Sequence, residues 1–195
     1  MWKRYIARQN EEFVQTPYPK EYNADIIVVI PCFNEPEIRH VLQCLSVCKR
    51  PDANVLVGVI INSGVHSDEA SISQNRVTYD EVKGFASQFN EPSLSFFPIL
   101  FEGLPRKHAG VGLARKIGMD LAVNHFHENE NHQGVIVSLD ADCLVSPNFF
   151  ESIHEAFQQD SKLHATIHHV SHRPEGDDPL LEKSIRQYEA YLRYF

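Results

Sequence analysis

The stretch Gly134–Phe150, GVIVSLDADCLVSPNFF, decides the predicted fold of this chain. Its largely apolar run from Val135 to Leu139 predicts a strand that is buried on both faces of a sheet. The run ends abruptly in Asp140-Ala141-Asp142, and Pro147 then opens an amphipathic segment that predicts a helix. A buried strand therefore delivers two acids to its carboxyl end, which is where open α/β sheets bind their ligands.

The two carboxylates of Asp140 and Asp142 indicate a cation site. Like charges this close in sequence repel one another unless a cation lies beside them. Oxygen ligands at the end of a strand suit Mg²⁺ or Mn²⁺ better than Zn²⁺. The alternative is an ordinary turn, because Asp is a common turn residue. For an isolated D-x-D the turn is the more frequent outcome, so the rest of the chain must decide between them.

Composition places the chain among globular proteins and excludes several partners. Its 195 residues are enough for one full hydrophobic core, with 43% hydrophobic and 23% charged residues. The net charge of −8 argues against a nucleic-acid partner or a general anionic-membrane surface. No apolar run is long enough for a transmembrane segment, and no apolar signal region follows the N-terminal charges. We expect a cytoplasmic protein, or one peripheral at the inner membrane face, with its four cysteines reduced.

The order of elements predicts an α/β fold with a mostly parallel sheet. Residues 1–24 are polar and aromatic and predict an N-terminal arm, followed by one domain over 25–195. Strands are predicted at 25–30, 54–61 and 95–101, with Pro98 indicating an edge strand or a bulge. Helices are predicted from Pro36, within residues 65–95 with a capping box at Thr78 and Glu81, from Val111 to Phe126, and from Pro179 onward. Strands and helices that alternate with short links are typical of a parallel sheet with right-handed crossovers.

Polar residues follow three of these strands. Asn34-Glu35 comes after the first strand, Asn62-Ser63 after the second, and Asp140-Asp142 after the fourth. Because the carboxyl ends of parallel strands meet at one edge of the sheet, we expect these side chains to converge there. Taken singly, Asn34 is as well explained as a helix cap and Asn62-Ser63 as part of a turn.

Two basic residues lie close to the helix that begins near Gly110. A helix N-terminus favours anions, and Lys107 or Arg115 would add to that attraction. An ordinary solvated basic face is an equally good explanation.

Four histidines occur in the segment from His164 to His172, HATIHHVSH, which alternates like a strand. On a strand His168 and His172 share one face with His164, whereas His169 points the other way. A polar strand face is the better explanation, and one histidine completing a metal shell near Asp142 is the alternative.

Four motifs together resemble the family 2 nucleotide-sugar glycosyltransferases, which have the GT-A fold. They are I-P-C-F-N-E, V-x-x-I-N-S-G, G-L-A-R-K-I-G-M-D-L-A and V-S-L-D-A-D, and the resemblance covers roughly residues 25–160. It implies a Rossmann-like sheet flanked by helices and inverting transfer of a hexose from a UDP- or GDP-sugar, with Mn²⁺ or Mg²⁺ as cofactor. The acceptor would be a saccharide or a lipid-linked molecule.

The resemblance also implies roles for particular residues. Asp142 would ligate the metal, and Asp140 would contact either the ribose or the metal, directly or through water. The other implied contacts are with the base and ribose at Pro31, Asn34, Glu35 and Asn62, and with the diphosphate at Lys107 or Arg115.

The chain departs from the family pattern at two points. Asn62 replaces the aspartate that usually reads the base, although an amide can also donate to and accept from a base edge. An inverting transfer also needs a general base, and no residue after Asp142 matches the motif that supplies it. We therefore expect a donor-binding domain that ends before the acceptor-binding part of a longer enzyme.

Two other functions remain open. A sugar-phosphate nucleotidyltransferase would use a similar sheet, but it carries a Gly-rich basic loop after the first strand, where this chain has P-C-F-N-E. A non-catalytic GT-A-like module that binds a protein partner is the other alternative. Metal-dependent nucleotide binding distinguishes the glycosyltransferase from this module.

Overall fold

The computed structural model of the chain describes residues 2–9, 11–14, 18–105, 110–171 and 179–192. The chain forms two compact units, Met1–Gln159 and Asp160–Phe195. The expectation of one domain over 25–195 did not include this division.

The first unit contains four strands and five α-helices within the described residues. In chain order these are α1 (Trp2–Ile6), β1 (Ile26–Cys32), α2 (Ile38–Ser46), β2 (Val55–Gly64), α3 (Glu69–Phe89), β3 (Leu94–Leu104), α4 (Val111–Glu128), β4 (Val135–Ser138) and α5 (Phe149–Gln159). Short 3₁₀ helices at Glu11–Val14 and Lys20–Tyr22 precede β1. The second unit contains α6 (Pro179–Leu192).

The four strands form one parallel sheet in the order β3-β2-β1-β4. In its register Ile26 of β1 lies between Val55 of β2 and Val135 of β4. The order reverses at β1, because the chain first moves outward to β3 and then returns to place β4 on the other side of β1. The prediction of an α/β fold with a parallel sheet flanked by helices is confirmed, and this topology is compatible with a Rossmann-like fold.

Alternate residues of the buried strands point to opposite faces of the sheet. The first face carries Ile26 and Val28 and packs against apolar side chains of α2, α3 and α5. The second face carries Ile27 and Val29 and packs against α4. Helices on both faces of a parallel sheet bury its strands, which explains the continuous apolar runs of β1 and β2.

Residues before β1 complete the second face. Tyr18 is 1% exposed and lies inside this core, with Trp2, Phe13 and Tyr22 packed around its margin. Its ring passes directly over Gly58 of β2, where a Cβ atom would lie 2.6 Å from the tyrosine Cζ. The segment predicted to be an arm therefore contributes a central side chain to the core.

The two edge strands of the described sheet differ. Pro98 lies on β3, which is an edge strand as its sequence predicted. There the Asn90 amide accepts a hydrogen bond from the Phe96 N–H (2.8 Å) and donates one to the Phe96 carbonyl (3.3 Å). The prediction that Val135–Leu139 is buried on both faces is met only in part, because Val137 is buried but its neighbours are partly exposed and Ser138 is exposed; β4 is also an edge strand. Edge strands in proteins are managed by such short lengths, prolines and side-chain caps.

Two other predictions need correction. The helix predicted within residues 65–95 forms as α3 from Glu69, but its cap is Asp68, which accepts a hydrogen bond from the Ser71 N–H (2.8 Å), and not the capping box predicted at Thr78 and Glu81. The strand predicted over 164–172 is not formed, since residues 163–171 have no regular secondary structure and residue 172 lies outside the described residues. A strand needs a neighbour to satisfy its backbone, and residues 164–171 are exposed.

Among the described residues, every helix is too short or too polar to cross a membrane.

Candidate functional site

The candidate site lies at the carboxyl ends of β1, β2 and β4, where the sheet order reverses. Strand β1 pairs with β4 only as far as Val29, opposite Ser138, whereas it pairs with β2 as far as Cys32. Pro31 lies beyond the last pair with β4, so its missing N–H leaves no gap in that ladder. A crevice between two such strand ends is where doubly wound sheets bind ligands.

The end of β1 is held in place by two side chains of α3. Asn34 adopts a left-handed conformation (φ 50°), and its N–H donates to Asn75 Oδ1 at 2.8 Å. Asn75 is fully buried, and its amide also donates to the Asn62 carbonyl of β2 at 3.0 Å. Thr78, equally buried, donates its hydroxyl to the Glu35 carbonyl at 3.0 Å. These two residues of α3 therefore fix the backbone of Asn34 and Glu35 against β2.

Asn75 and Thr78 are residues whose part in the site the sequence analysis missed. Thr78 was interpreted as a helix cap, and Asn75 lay within the predicted helical stretch 65–95 without being assigned a role. The signal in the sequence is that Asn75 and Thr78 share one helix face with the apolar Val82. Polar residues on a buried helix face need hydrogen-bond partners, which would have pointed to contacts with a neighbouring element.

The predicted nucleotide-contacting residues at the ends of β1 and β2 differ in accessibility. Pro31 is buried within β1, Glu35 is partly buried, and Asn34 is exposed. Asn62 and Ser63 belong to β2 itself, not to a turn after it, and are only 2% and 1% exposed. Burial of Pro31 removes it from direct contact with a ligand in this conformation, although its position at the strand end is as expected.

Asn62 links the end of β2 to the start of α4. Its amide nitrogen donates to the carbonyl of Gly110 at 3.5 Å, and Gly110 is the N-cap residue of α4. The amide oxygen of Asn62 and the hydroxyl of Ser63 are buried and find no hydrogen-bond partner within the described part of the chain. Buried polar atoms without partners are uncommon and carry a desolvation cost. They mark this strand end as a place where a ligand could satisfy an acceptor.

The N-terminus of α4 is uncapped within the described residues. Its N-cap Gly110 has no side chain to cap it, and Gly110, Val111 and Gly112 are exposed. Unsatisfied N–H groups and the helix dipole make such a terminus favourable for anions. Lys107, which the sequence placed near this helix, lies outside the described residues.

Arg115 and Asp140 come together across the crevice. Arg115 Nη2 lies 2.5 Å from Asp140 Oδ1, although the two residues are on α4 and just after β4. The Arg115 side chain is 33% exposed and that of Asp140 is 55% exposed. The sequence predicted both as site residues but did not predict that they pair with each other.

Asp142 lies in the same turn and is exposed. The Cys143 thiol donates to Asp142 Oδ1 at 3.6 Å, and the Cys143 N–H donates to the Asp140 carbonyl at 3.2 Å. Partial burial raises the pKa of the Cys143 thiol, and the charges of Asp142 and Asp140 raise it further. The thiol of Cys143 is therefore the less suitable cation ligand, and the two carboxylates are the groups of this turn that could hold a cation.

The donor set fits a cation that the ligand itself helps to hold. In residues 2–9, 11–14, 18–105, 110–171 and 179–192, no cluster of three or more His, Cys, Asp or Glu side chains could hold a metal alone. Mg²⁺ often uses one or two carboxylates and completes its shell with water and substrate phosphates. Asp140 and Asp142 meet this requirement, whereas a structural Zn²⁺ site would need four ligands.

A groove of about 810 Å³ lies away from the strand ends, between α3 and the edge of β3. Its lining includes Tyr22, Lys83, Asn90 and Pro98. Lys83 is its single charged side chain, and Asn90 is already used by the backbone of β3. The strand ends, where acid, base, amide and helix terminus converge, are therefore the better candidate site.

No family model matches the chain, and no curated protein matches it.

Proposed function

We propose that this chain binds a nucleoside-diphosphate sugar together with Mn²⁺ or Mg²⁺, as the donor domain of a GT-A glycosyltransferase. The observation that carries the proposal is the meeting of Arg115, Asp140 and the exposed N-terminus of α4 at the reversal of the sheet. A nucleoside diphosphate needs cations for its phosphates, hydrogen-bonding groups for its base and ribose, and a crevice to lie in. The charged and hydrogen-bonding groups at this edge support the proposal.

Different residues would bind the diphosphate, the base and the ribose of the ligand. The N–H groups at the start of α4, with Arg115, would bind the diphosphate, because guanidinium and helix-terminal N–H groups both bind phosphate oxygens. Asn62 Oδ1 is buried and without a partner in this conformation, and it would accept a hydrogen bond from a base N–H only after the strand end moves to expose it. Asn34 and Glu35 would border the ribose.

Asp140 and Asp142 would hold the cation against the diphosphate. The cation would neutralise charge that develops on the leaving diphosphate during glycosyl transfer. The proposal assigns no general base and leaves the saccharide or lipid-linked acceptor undefined.

Two observations weigh against the other functions. A nucleotidyltransferase that holds a triphosphate needs glycines and basic groups after its first strand, and here Phe33, Asn34 and Glu35 follow β1. A non-catalytic module has no need for both carboxylates beside a basic residue at the strand ends. The second alternative is separated from the proposal by metal-dependent nucleotide binding.

The test is a thermal melt of the chain with UDP or GDP, each with and without Mn²⁺. A nucleotide at about 100 times its Kd stabilises the folded state by roughly 2.7 kcal/mol, which raises Tm by about 5–10 °C in a protein of this size. We expect this rise with one nucleotide only when Mn²⁺ is present, and we expect Asp142→Ala to abolish it.

Asp52→Ala is the matched control, because it removes an exposed carboxylate just before β2, at the opposite edge of the sheet. It should keep the full metal-dependent rise. Absence of a rise with both nucleotides in the unaltered chain would reject the proposal.

A further inference from the structure

The pair of Arg115 and Asp140 occupies the groups that the proposed function assigns to the ligand. Asp140 Oδ1 lies 2.5 Å from Arg115 Nη2, so this carboxylate oxygen is already bound by a guanidinium. The guanidinium lowers the negative charge that Asp140 offers, so it competes with a cation for this carboxylate. Likewise, the Arg115 N–H that contacts Asp140 is not available to a diphosphate in this arrangement.

We propose that Arg115 is an internal counter-ion that closes the site in the absence of ligand and exchanges Asp140 for the diphosphate when the nucleotide and metal bind. This inference rests on the proposed function and deepens it by naming how the site opens. In the closed state Arg115 neutralises one of the two carboxylates of the D-A-D turn. In the open state the cation takes over Asp140, and the guanidinium turns to the phosphates.

The position of Arg115 makes the exchange short. Arg115 lies in the second turn of α4, close to the exposed N-terminus formed by Gly110 and Val111. A side chain on this turn needs only new rotamers, because its own helix supplies the N–H groups that would bind the same diphosphate. Exposure of both partners allows the pair to break without burying an unpaired charge.

The ion pair between Arg115 and Asp140 is weak. Ion pairs between partly exposed side chains contribute little, and breaking one changes a competing affinity by about two- to fivefold. A bond from a guanidinium to a phosphate is lost at a greater cost, about tenfold or more in affinity. Removal of Arg115 should therefore have opposite effects on the metal and on the nucleotide.

The first measurement is a titration with Mn²⁺ in the absence of nucleotide. The paramagnetic resonance signal of free Mn²⁺ reports how much of the metal is bound. Arg115→Met removes the charge and keeps the aliphatic stem, and we expect it to bind Mn²⁺ about two- to fivefold more tightly than the unaltered chain. Lys20→Met is the matched control, because it removes one exposed cation that pairs with Glu128 at the other end of α4. It should leave Mn²⁺ binding unchanged.

The second measurement is calorimetric titration of UDP and GDP at saturating Mn²⁺. Arg115→Met should bind the preferred nucleotide about tenfold more weakly, while Lys20→Met binds it normally. Asp140→Asn tests the exchange from the other side, because it releases the guanidinium. Metal-free nucleotide binding should be too weak to raise Tm in the melt but measurable by calorimetry at high nucleotide concentration, and there this variant should bind about two- to fivefold more tightly than the unaltered chain.

The outcomes separate the inference from the proposed function. If the unaltered chain binds nucleotide with Mn²⁺ but Arg115→Met weakens both ligands or changes neither, the counter-ion exchange is wrong and the donor site stands. If the unaltered chain binds no nucleotide with Mn²⁺, both fall. Should Arg115→Met fail to fold in a melt, Arg115→Lys replaces it, with the same opposite signs and smaller changes expected. An Asp140→Asn variant that gains no metal-free nucleotide affinity also overturns the exchange.

Discussion

The two faces of the sheet are covered in different ways. The first face is covered mainly by helices, with buried side chains such as Leu42 of α2, Phe85 of α3 and Phe150 of α5. The second face has one helix, α4, and the remaining apolar surface is covered by Tyr18 and its neighbours from the segment before β1. Periodic patterns in the sequence therefore describe the first face well and the second face poorly.

The second face also contains most of the polar burial away from the candidate site. Asp120 of α4 is buried and accepts hydrogen bonds from the Tyr5 hydroxyl at 2.6 Å and from Lys116 at 2.5 Å. The bond to Asp120 is the main reason that the pKa of Tyr5 rises to about 12. Single contacts of this kind fasten the N-terminal segment to α4, so this face depends on individual residues more than the first face does.

The largest expected effect comes from Tyr18→Ala, which empties the centre of the second face. Loss of a fully buried aromatic side chain costs about 3–5 kcal/mol of unfolding free energy, as it would for Phe85 on the first face. Urea denaturation of Tyr18→Ala and Phe85→Ala measures both losses side by side. A loss below about 1 kcal/mol for Tyr18→Ala would mean that α4 alone closes its face.

An intermediate effect is expected when a methyl group is added to each of two helices. In Gly118→Ala of α4 the new Cβ would meet Ile60 Cγ1 at 2.9 Å and would crowd Val29 more closely still. Overpacking outweighs the gain in helix propensity, and we expect a net loss of about 1–2 kcal/mol.

Gly84→Ala of α3 is the matched substitution, because no atom lies within 4 Å of its new Cβ. It should stabilise the chain by about 0.5–1 kcal/mol. Both values come from the same denaturation series. Equal effects at the two positions would contradict the close approach of α4 to the sheet.

The smallest effect is a pH dependence that belongs to the second face. His125 is buried there and accepts a hydrogen bond from the Ala24 N–H at 3.3 Å, and burial lowers its pKa. The folded chain prefers the neutral ring of His125. The contribution of this residue to the free energy of unfolding is therefore complete above the pKa of an unfolded histidine, about 6.5, and it is lost as the pH falls toward the lower pKa of His125 in the folded chain. The slope is at most about 1.4 kcal/mol per pH unit for one proton.

His125→Gln should remove this slope from the pH profile of unfolding free energy. His66→Gln replaces an exposed histidine in the turn after β2 and serves as the control, with the profile of the unaltered chain. Superimposable profiles for His125→Gln and the unaltered chain would assign the acid sensitivity to other groups.

Sequence patterns predicted the fold where burial follows a period. The apolar runs of β1 and β2 and the spacing of Leu113, Ile117 and Leu121 predicted a parallel sheet with packed helices, and these residues lie where expected. The place of Tyr18 was not predictable, because its contact depends on the missing side chain of Gly58, far away in the sequence. The strand over 164–172 was predicted wrongly because alternation alone supplies no partner strand.

At the candidate site the sequence predicted the convergence of strand ends but not the contacts within it. Asn34, Asn62, Arg115 and Asp140 could be placed at one sheet edge, since parallel strands end together. The bridge through Asn75 and the pairing of Arg115 with Asp140 depend on rotamers and on the exact start of α3. Such details are set by packing between elements, which no local pattern encodes.

The strand order also determines when β4 can pair during synthesis of the chain. Strand β1 is synthesised first among the strands and pairs with β4, which is synthesised last, so that Val29 meets Ser138 only after the whole intervening chain has been made. Contacts between residues so distant in sequence form slowly, and a nascent chain folds from its N-terminus. Until β4 emerges from the ribosome, the edge of β1 is open to pairing with other chains. The turn that carries Asp140 and Asp142 is therefore completed by the same event that adds β4 to the edge of β1.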